Sequence, residues 1–189
     1  MPVELVLASA SPRRHMLVRA LGLPVQVVRP EVEEIGSGQP PHELVAFNAR
    51  LKADAGLAMI GGDRSRVVIG VDTDVAVDGV LLGKPADRAG AAGRLRRLSG
   101  RSHEALSGVA LAGAVEADAV ETSRVTFHDL GETALRVYLD SGEWQDRAGG
   151  YAIQGLGASL VESIAGDLAN VIGLPLALLK RLLGPESLP

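Results

Sequence analysis

Two hydroxyls and two guanidiniums crowd one short segment near the start of the chain, Ser9-Ala10-Ser11-Pro12-Arg13-Arg14. An apolar run precedes it, and Ser11 followed by Pro12 is a helix-start signal. A helix N-terminus offers free N–H groups and the positive end of its dipole, so this turn suits an anion such as phosphate. Arginines in a first helical turn are electrostatically costly, which points to an external anion. The plainer reading is that Ser11 caps the helix and the arginines are solvated.

A second segment, Val67-Val68-Ile69-Gly70-Val71-Asp72-Thr73-Asp74, ends a buried-type strand in carboxylates. Such a carboxylate suits a metal ligand or a general base, or else only caps a turn. One hairpin later, Lys84 in Gly83-Lys84-Pro85 could neutralise a phosphate; taken alone it is an ordinary surface lysine. A third segment, Gly149-Gly150-Tyr151-Ala152-Ile153-Gln154-Gly155-Leu156-Gly157, is dense in glycine. Glycine lets backbone approach a ligand closely, and the Gln154 amide can both donate to and accept from a base edge. The competing reading is a flexible loop. Glu31, Glu33 and Glu34 read as a solvated acidic turn, or with Asp72 as oxygen ligands for a hard cation. The four histidines fit no zinc spacing and read as structural or surface groups. Ser107-Gly108 forms no nucleophile elbow, so a serine hydrolase is unsupported.

Composition narrows these options. The chain has 189 residues, 47% hydrophobic and 3% aromatic, no Cys and a net charge of −4. That supply of aliphatic residues fits one folded domain spanning 1–189. Without Cys there is no thiol nucleophile and no thiolate metal site, so a metal must be held mainly by oxygens, which favours Mg²⁺ or Mn²⁺. Five aromatics make a stacked cage for a base a poor expectation. The charge argues against a nucleic-acid coat; the arginine cluster Arg94, Arg96, Arg97 and Arg101 reads as a solvated helix face. Met1-Pro2-Val3-Glu4 lacks the basic start of a signal peptide, and Leu168 to Leu179 is too short to span a bilayer. The expectation is a cytoplasmic protein without membrane or nucleic-acid partners.

The elements that must position these groups follow from periodicity. Strands are expected at Glu4 to Ala8, Val25 to Val28, Val67 to Val71, His103 to Ala112, Val120 to Phe127 and Leu160 to Ile164. Val75 to Leu82 alternates around Asp78-Gly79, the favoured pair for a two-residue hairpin turn. Helices are expected from Pro12 to Gly22, after Pro41 with Leu44, Phe47, Leu51 and Ala55 on one face, from Asp87 to Gly100, from Glu132 to Leu139, and from Pro175 to Leu183. Glu143 to Gly157 is irregular. Alternation of strands and helices with hairpins among them predicts an α/β fold with a mixed sheet.

Taken in order, several segments resemble the Maf family of nucleoside triphosphate pyrophosphatases. They are Leu7 to Arg14, Gly70-Val71-Asp72-Thr73, Gly83-Lys84-Pro85, Leu98-Ser99-Gly100-Arg101-Ser102-His103-Glu104, Ser107-Gly108-Val109, Tyr151 to Gly157, and Val171-Ile172-Gly173-Leu174-Pro175. The resemblance implies a mixed, twisted central sheet with flanking helices and a cleft between two lobes, as in the inosine triphosphatase group. It implies hydrolysis between the α and β phosphates, a divalent cation (Mg²⁺ or Mn²⁺), a nucleoside triphosphate substrate and a homodimer. By that pattern Asp72 activates water, Glu34 and Asp72 hold the metal, and Lys52 and Lys84 belong to the catalytic cleft. Ser9, Arg13 and Arg14 face the phosphates, while Arg13, Thr73 and Gln154 read the base. The Asp-Thr pair resembles the dTTP/UTP branch. Asp74 and Arg147 depart from the pattern, where an apolar residue and a lysine are usual. The competing classes are a nucleotide-binding regulator of septum formation without catalysis and a nucleic-acid-binding module.

Overall fold

The computed structural model describes residues 4–22 and 24–184; the sequence expectation for Met1 to Val3 lies outside them. Seven strands form one sheet: β1 (Leu5–Ala8), β2 (Val25–Val28), β3 (Val67–Val77), β4 (Val80–Leu81), β5 (Ser102–Gly113), β6 (Ala117–Phe127) and β7 (Val161–Ala165). Their order is β2-β1-β3-β5-β6-β7, with β4 paired to β3. β1 runs parallel to both β2 and β3, and every other pairing is antiparallel. The mixed α/β sheet matches the sequence expectation.

Parallel neighbours need crossovers. α1 (Pro12–Ala20) joins β1 to β2, and α2 (Pro41–Met59) joins β2 to β3. The remaining helices are α3 (Arg88–Leu98), α4 (Glu132–Ser141), α5 (Leu168–Ile172) and α6 (Leu176–Leu183). α5 escaped the sequence reading because five residues are too few to show a helical period. The hairpin turn is where Asp78-Gly79 placed it, with both residues at positive φ.

β3 is shared by separate parts of the core. Its first half, Val67, Ile69 and Val71, packs with Val18, Leu174 and Leu178 beneath α1 and α6. Val68, on the other face, packs with Ala49 and Ala53 of α2. Beyond the middle of the strand, Val75 and Val77 join a different cluster with Leu95 of α3, Leu135 of α4 and Phe127. Asp72-Thr73-Asp74 occupies the interval between these cores. β1 pairs with β3 only up to Gly70, and β4 begins pairing at Ala76. One edge of β3 is therefore free of strand partners from Val71 to Val75, at the carboxyl ends of the parallel strands, where open α/β sheets leave room for ligands.

α2 lies against the sheet differently from the expectation. Its buried residues are Leu44, Val45, Asn48, Ala49, Ala53, Gly56 and Leu57, while Phe47 is exposed. The helix is seated by small residues rather than large ones. A Cβ on Gly70 would lie 2.2 Å from the Ala49 carbonyl oxygen, and one on Gly108 would lie 2.2 Å from that of Val45. Backbone on backbone leaves no side chain free to yield. Gly70→Ala is expected to destabilise the protein by about 2 kcal/mol or more, the scale of overpacking against a rigid neighbour. Urea denaturation measures it; an unchanged midpoint would contradict this seating of α2.

Candidate active site

The uncovered edge of β3 opens into a cleft of about 1150 Å³. Every residue proposed from the sequence lines it. Ser9, Arg13 and Arg14 come from the β1–α1 turn, Glu34 from the loop before α2, and Lys52 from α2. Asp72 and Thr73 come from β3, Lys84 from the turn after β4, and Gln154 from the late loop. Asp74 and Arg147 line it too. The pleat of β3 separates the roles: Asp72 faces α2, and Thr73 faces the opposite side of the sheet.

On the α2 side, Lys52 Nζ donates to Asp72 Oδ1 at 2.7 Å and stands 2.7 Å from Glu34 Oε1. Asp72 and Lys52 are nearly buried, with side chains 12% and 11% exposed, whereas Glu34 is half-exposed at the rim. The other Asp72 oxygen, Oδ2, accepts from Asn48 Nδ2 at 3.3 Å. Asn48 also exchanges two hydrogen bonds with the Ile35 backbone, at 2.9 and 3.0 Å, and so fixes the loop carrying Glu34. Sequence reading missed Asn48. The available signal was its spacing: Asn48 and Lys52 are four apart and share a helix face.

On the other side, Arg14 is an internal hub. Its Nε donates to the Gly173 carbonyl at 2.8 Å, and its terminal nitrogens donate to Ser9 Oγ at 3.3 Å and Thr73 Oγ1 at 3.0 Å. Burial pushes its pKa down, and the charges of Asp72 and Glu34 oppose that shift. Arg13 Nε donates to the Ile172 carbonyl at 3.3 Å. The arginines in the first turn of α1 are thus offset by carbonyls at the C-terminal end of α5, so their presence alone does not require an external anion. The serine roles also differ from expectation. Ser11 makes no side-chain cap; its N–H instead donates to Ser9 Oγ at 3.1 Å.

Thr73 Oγ1 lies 2.8 Å from Ser107 Oγ and donates to the Gly173 carbonyl at 3.3 Å, besides accepting from Arg14. With its hydroxyl so engaged, Thr73 shapes the cleft through Arg14. Gln154 is exposed, its amide nitrogen 3.8 Å from Met16 Sδ. Lys84 is exposed and its Nζ has no partner among the described residues. Arg147 Nε is buried without a hydrogen-bond acceptor among the described residues, and burial pushes its guanidinium pKa down. Burial pushes the Asp74 carboxyl up to about 6, and the Asp72 charge adds to this against two backbone N–H groups.

The glycine-rich loop is tied down by its own chain. Glu143 accepts from Leu156 N–H and Gly157 N–H with its two oxygens, both at 3.0 Å. The Tyr138 hydroxyl accepts from Ala152 N–H at 3.1 Å. A Cβ on Gly157 would lie 2.0 Å from the Ala152 carbonyl oxygen, so this glycine serves the loop's own fold rather than a ligand. Glu143 and Tyr138 carried no local sequence signal, because they act on backbone groups distant in sequence. Tyr151, at the root of the loop, is buried with its hydroxyl 2.9 Å from His103 Nε2, and the two rings meet edge to face.

Among the described residues no group of three or more His, Asp or Glu is placed to hold a metal ion. The donor set is two carboxylates, Asp72 and Glu34, within reach of one ammonium. That set fits a hard cation completed by substrate phosphates, since Mg²⁺ is commonly held by one or two carboxylates plus phosphate oxygens. The arginines Arg96, Arg97 and Arg101 pair with Glu132 and Asp78 of this chain.

Fold and cleft together define a mixed α/β protein that sets the cationic side chains of Arg13, Lys84 and Arg147 in one cleft with a pair of carboxylates. The Maf-like protein family profile matches residues 4–185, and the chain belongs to the Maf family. Over 175 residues it is 49% identical to a dTTP/UTP pyrophosphatase of Symbiobacterium thermophilum, covering 92% of this chain and 89% of that one. It is 42% identical over 189 residues to a dTTP/UTP pyrophosphatase of Dictyoglomus thermophilum, covering 97% and 96%. A solved nucleoside-triphosphatase / dITP/XTP pyrophosphatase from Mycobacterium abscessus superposes with a TM-score of 0.45 at 22% identity, over 68% of this chain and 76% of that one.

Burial holds the His103 imidazole down, with its pKa at about 4. An unfolded histidine titrates near 6.5, so below that pH the unfolded chain binds a proton that the folded chain does not. Stability contributed by neutral His103 is therefore complete above about pH 6.5 and falls as the pH drops toward 4. From pH 7 to pH 5 the wild type should lose about 2 kcal/mol more than His103→Gln, read from urea denaturation at both pH values. Equal losses would contradict a buried, neutral His103.

Proposed function

We propose that this chain hydrolyses dTTP and UTP between the α and β phosphates, consuming one water and releasing the nucleoside monophosphate and pyrophosphate. The observation that carries the reading is the nearly buried Asp72–Lys52 pair, set beside unpaired cationic groups in one cleft. The pyrophosphatase names of the relatives support the same reaction and the same bases.

Asp72 is the group that takes the proton from the attacking water. Its carboxylate is immobilised at both oxygens, by Lys52 and Asn48. A fixed base loses little entropy in reaching the attacking geometry. Lys52 holds Asp72 and Glu34 side by side, and their remaining oxygen lone pairs would hold Mg²⁺ or Mn²⁺. With a divalent cation bound, its charge would screen the phosphates and ease deprotonation of the attacking water. Lys84 and Arg147 have unsatisfied N–H groups facing the cleft, and they offset the charge that grows on the departing pyrophosphate. The free N–H groups of Arg13 and the Gln154 amide contact the nucleotide, Gln154 reading the edge of the base. Thr73 acts on base choice indirectly, by fixing Arg14 and the β1–α1 turn.

Asp72→Asn preserves shape and the contact with Lys52 but removes the base. Turnover of UTP should fall by ~10²-fold or more, the usual scale for a lost general base. Near-normal turnover would remove Asp72 from the mechanism. The reading as a whole is tested by pyrophosphate release from dTTP, UTP and 7-methyl-GTP with Mg²⁺ or Mn²⁺. Release from the two pyrimidine nucleotides, abolished by a chelator, is expected. Nucleotide binding without pyrophosphate release would sink the enzyme reading.

A further inference from the structure

The mechanism above leaves one carboxylate of the β3 interval unused. Asp74 Oδ1 accepts from its neighbour Val75 N–H at 2.7 Å and from Gly83 N–H at 3.0 Å. The second bond crosses from β3 to the turn that follows β4. That turn carries Lys84, and its links continue. The Gly83 carbonyl accepts from Gly149 N–H at 3.0 Å, two residues beyond Arg147. Arg94, reaching from α3, donates to the Leu82 and Lys84 carbonyls at 2.8 and 3.3 Å. Arg94 thus holds carbonyls on either side of Gly83, while the acceptor for the Gly83 N–H itself comes from Asp74.

We propose that Asp74 is a positioning residue that holds Lys84 and Arg147 in register for the pyrophosphate portion of the substrate. This deepens the proposed function and rests on it for the identity of the anion. Asp74 fixes the Leu82–Gly83 peptide through the Gly83 N–H, and the Gly83 carbonyl, in the next peptide, fixes the segment carrying Arg147. Without an acceptor for its N–H, the Leu82–Gly83 peptide is held only through the Leu82 carbonyl by Arg94 and can tilt about that bond. The change is local: Arg94 still seats the turn, and the strand bond from Leu82 N–H to the Val75 carbonyl remains. The cations would then lose their geometry without the fold being lost.

The charge of Asp74 works in the opposite direction, which makes the proposal separable from a purely electrostatic role. Deleting a carboxylate beside an anion site should, by Coulomb attraction alone, strengthen anion binding. Weaker binding on deletion therefore reports lost geometry. Asn supplies a neutral oxygen that can accept the same two N–H groups.

The test is the affinity for inorganic pyrophosphate with Mg²⁺, measured by titration calorimetry on the full chain. Asp74→Ala should weaken binding about tenfold, the order expected when a hydrogen bond that fixes the site is lost. Asp74→Asn should bind at least as tightly as the wild type. In a Lys84→Ala/Arg147→Ala background, adding Asp74→Ala should cost less than about threefold, because the groups it positions are gone. Three results would overturn the proposal: a wild type that does not bind pyrophosphate, an Asn variant as weak as the Ala variant, or an undiminished loss in the Lys84→Ala/Arg147→Ala background. Turnover of UTP by the same wild-type sample separates the two readings. Pyrophosphate binding with the expected pattern but no turnover would sink the proposed reaction and leave the role of Asp74 standing.

Discussion

The direct seating of α2 on the sheet is the constraint from which the site follows. Two glycines, Gly70 and Gly108, let the helix backbone approach neighbouring strands without intervening side chains. That approach brings the next face of the helix, Asn48 and Lys52, down onto Asp72 at hydrogen-bonding distance. A helix held away by a layer of leucines would leave Asp72 exposed to solvent and its carboxylate free to rotate. Asn48 also grips the Ile35 backbone, so the same contact delivers Glu34. Seating of one helix therefore places both carboxylates.

The cationic groups divide into two sets with different duties. Arg14 spends its donors on Ser9, Thr73 and Gly173 and works as a brace between the β1–α1 turn, β3 and the end of α5. Lys84 Nζ and Arg147 Nε have no acceptor among the described residues. Sequence reasoning grouped Arg14 with the phosphate-facing residues because its neighbours suggested a helix N-terminus open to an anion. The carbonyls that satisfy Arg13 and Arg14 come from residues 172 and 173, far along the chain, and no local pattern announces them. For a triphosphate the consequence is a preformed pocket: the brace costs nothing to assemble when ligand arrives, and only the unpaired groups must order around it.

Much of the architecture was legible where local chemistry and global structure agree. Asp78-Gly79 marked its hairpin, Asp87 its helix start, and the apolar run ending in Asp72 its buried strand. Of the candidate residues, Asp72, Thr73, Lys84 and Gln154 lie in the ordered motifs, Glu34 and Lys52 follow from the family resemblance, and the fold brings all six into one cleft. What escaped shares a physical cause. The buried face of α2 differs from the one its large residues predict, because contact distance selects small residues there. Asn48, Glu143 and Tyr138 escaped because they act on backbone groups of segments remote in sequence. The hydroxyl that accepts an N–H at the start of α1 belongs to Ser9 rather than Ser11, because only the turn's conformation decides which hydroxyl meets which N–H.

In the proposed reaction water attacks the α phosphate while the cationic wall of the cleft carries away pyrophosphate. Hydrolysis of UTP in ¹⁸O-labelled water, followed by ³¹P NMR of the products, tests it most directly. The account predicts UMP bearing the label and unlabelled pyrophosphate as the products. Label in pyrophosphate, or UDP with orthophosphate as products, would contradict it.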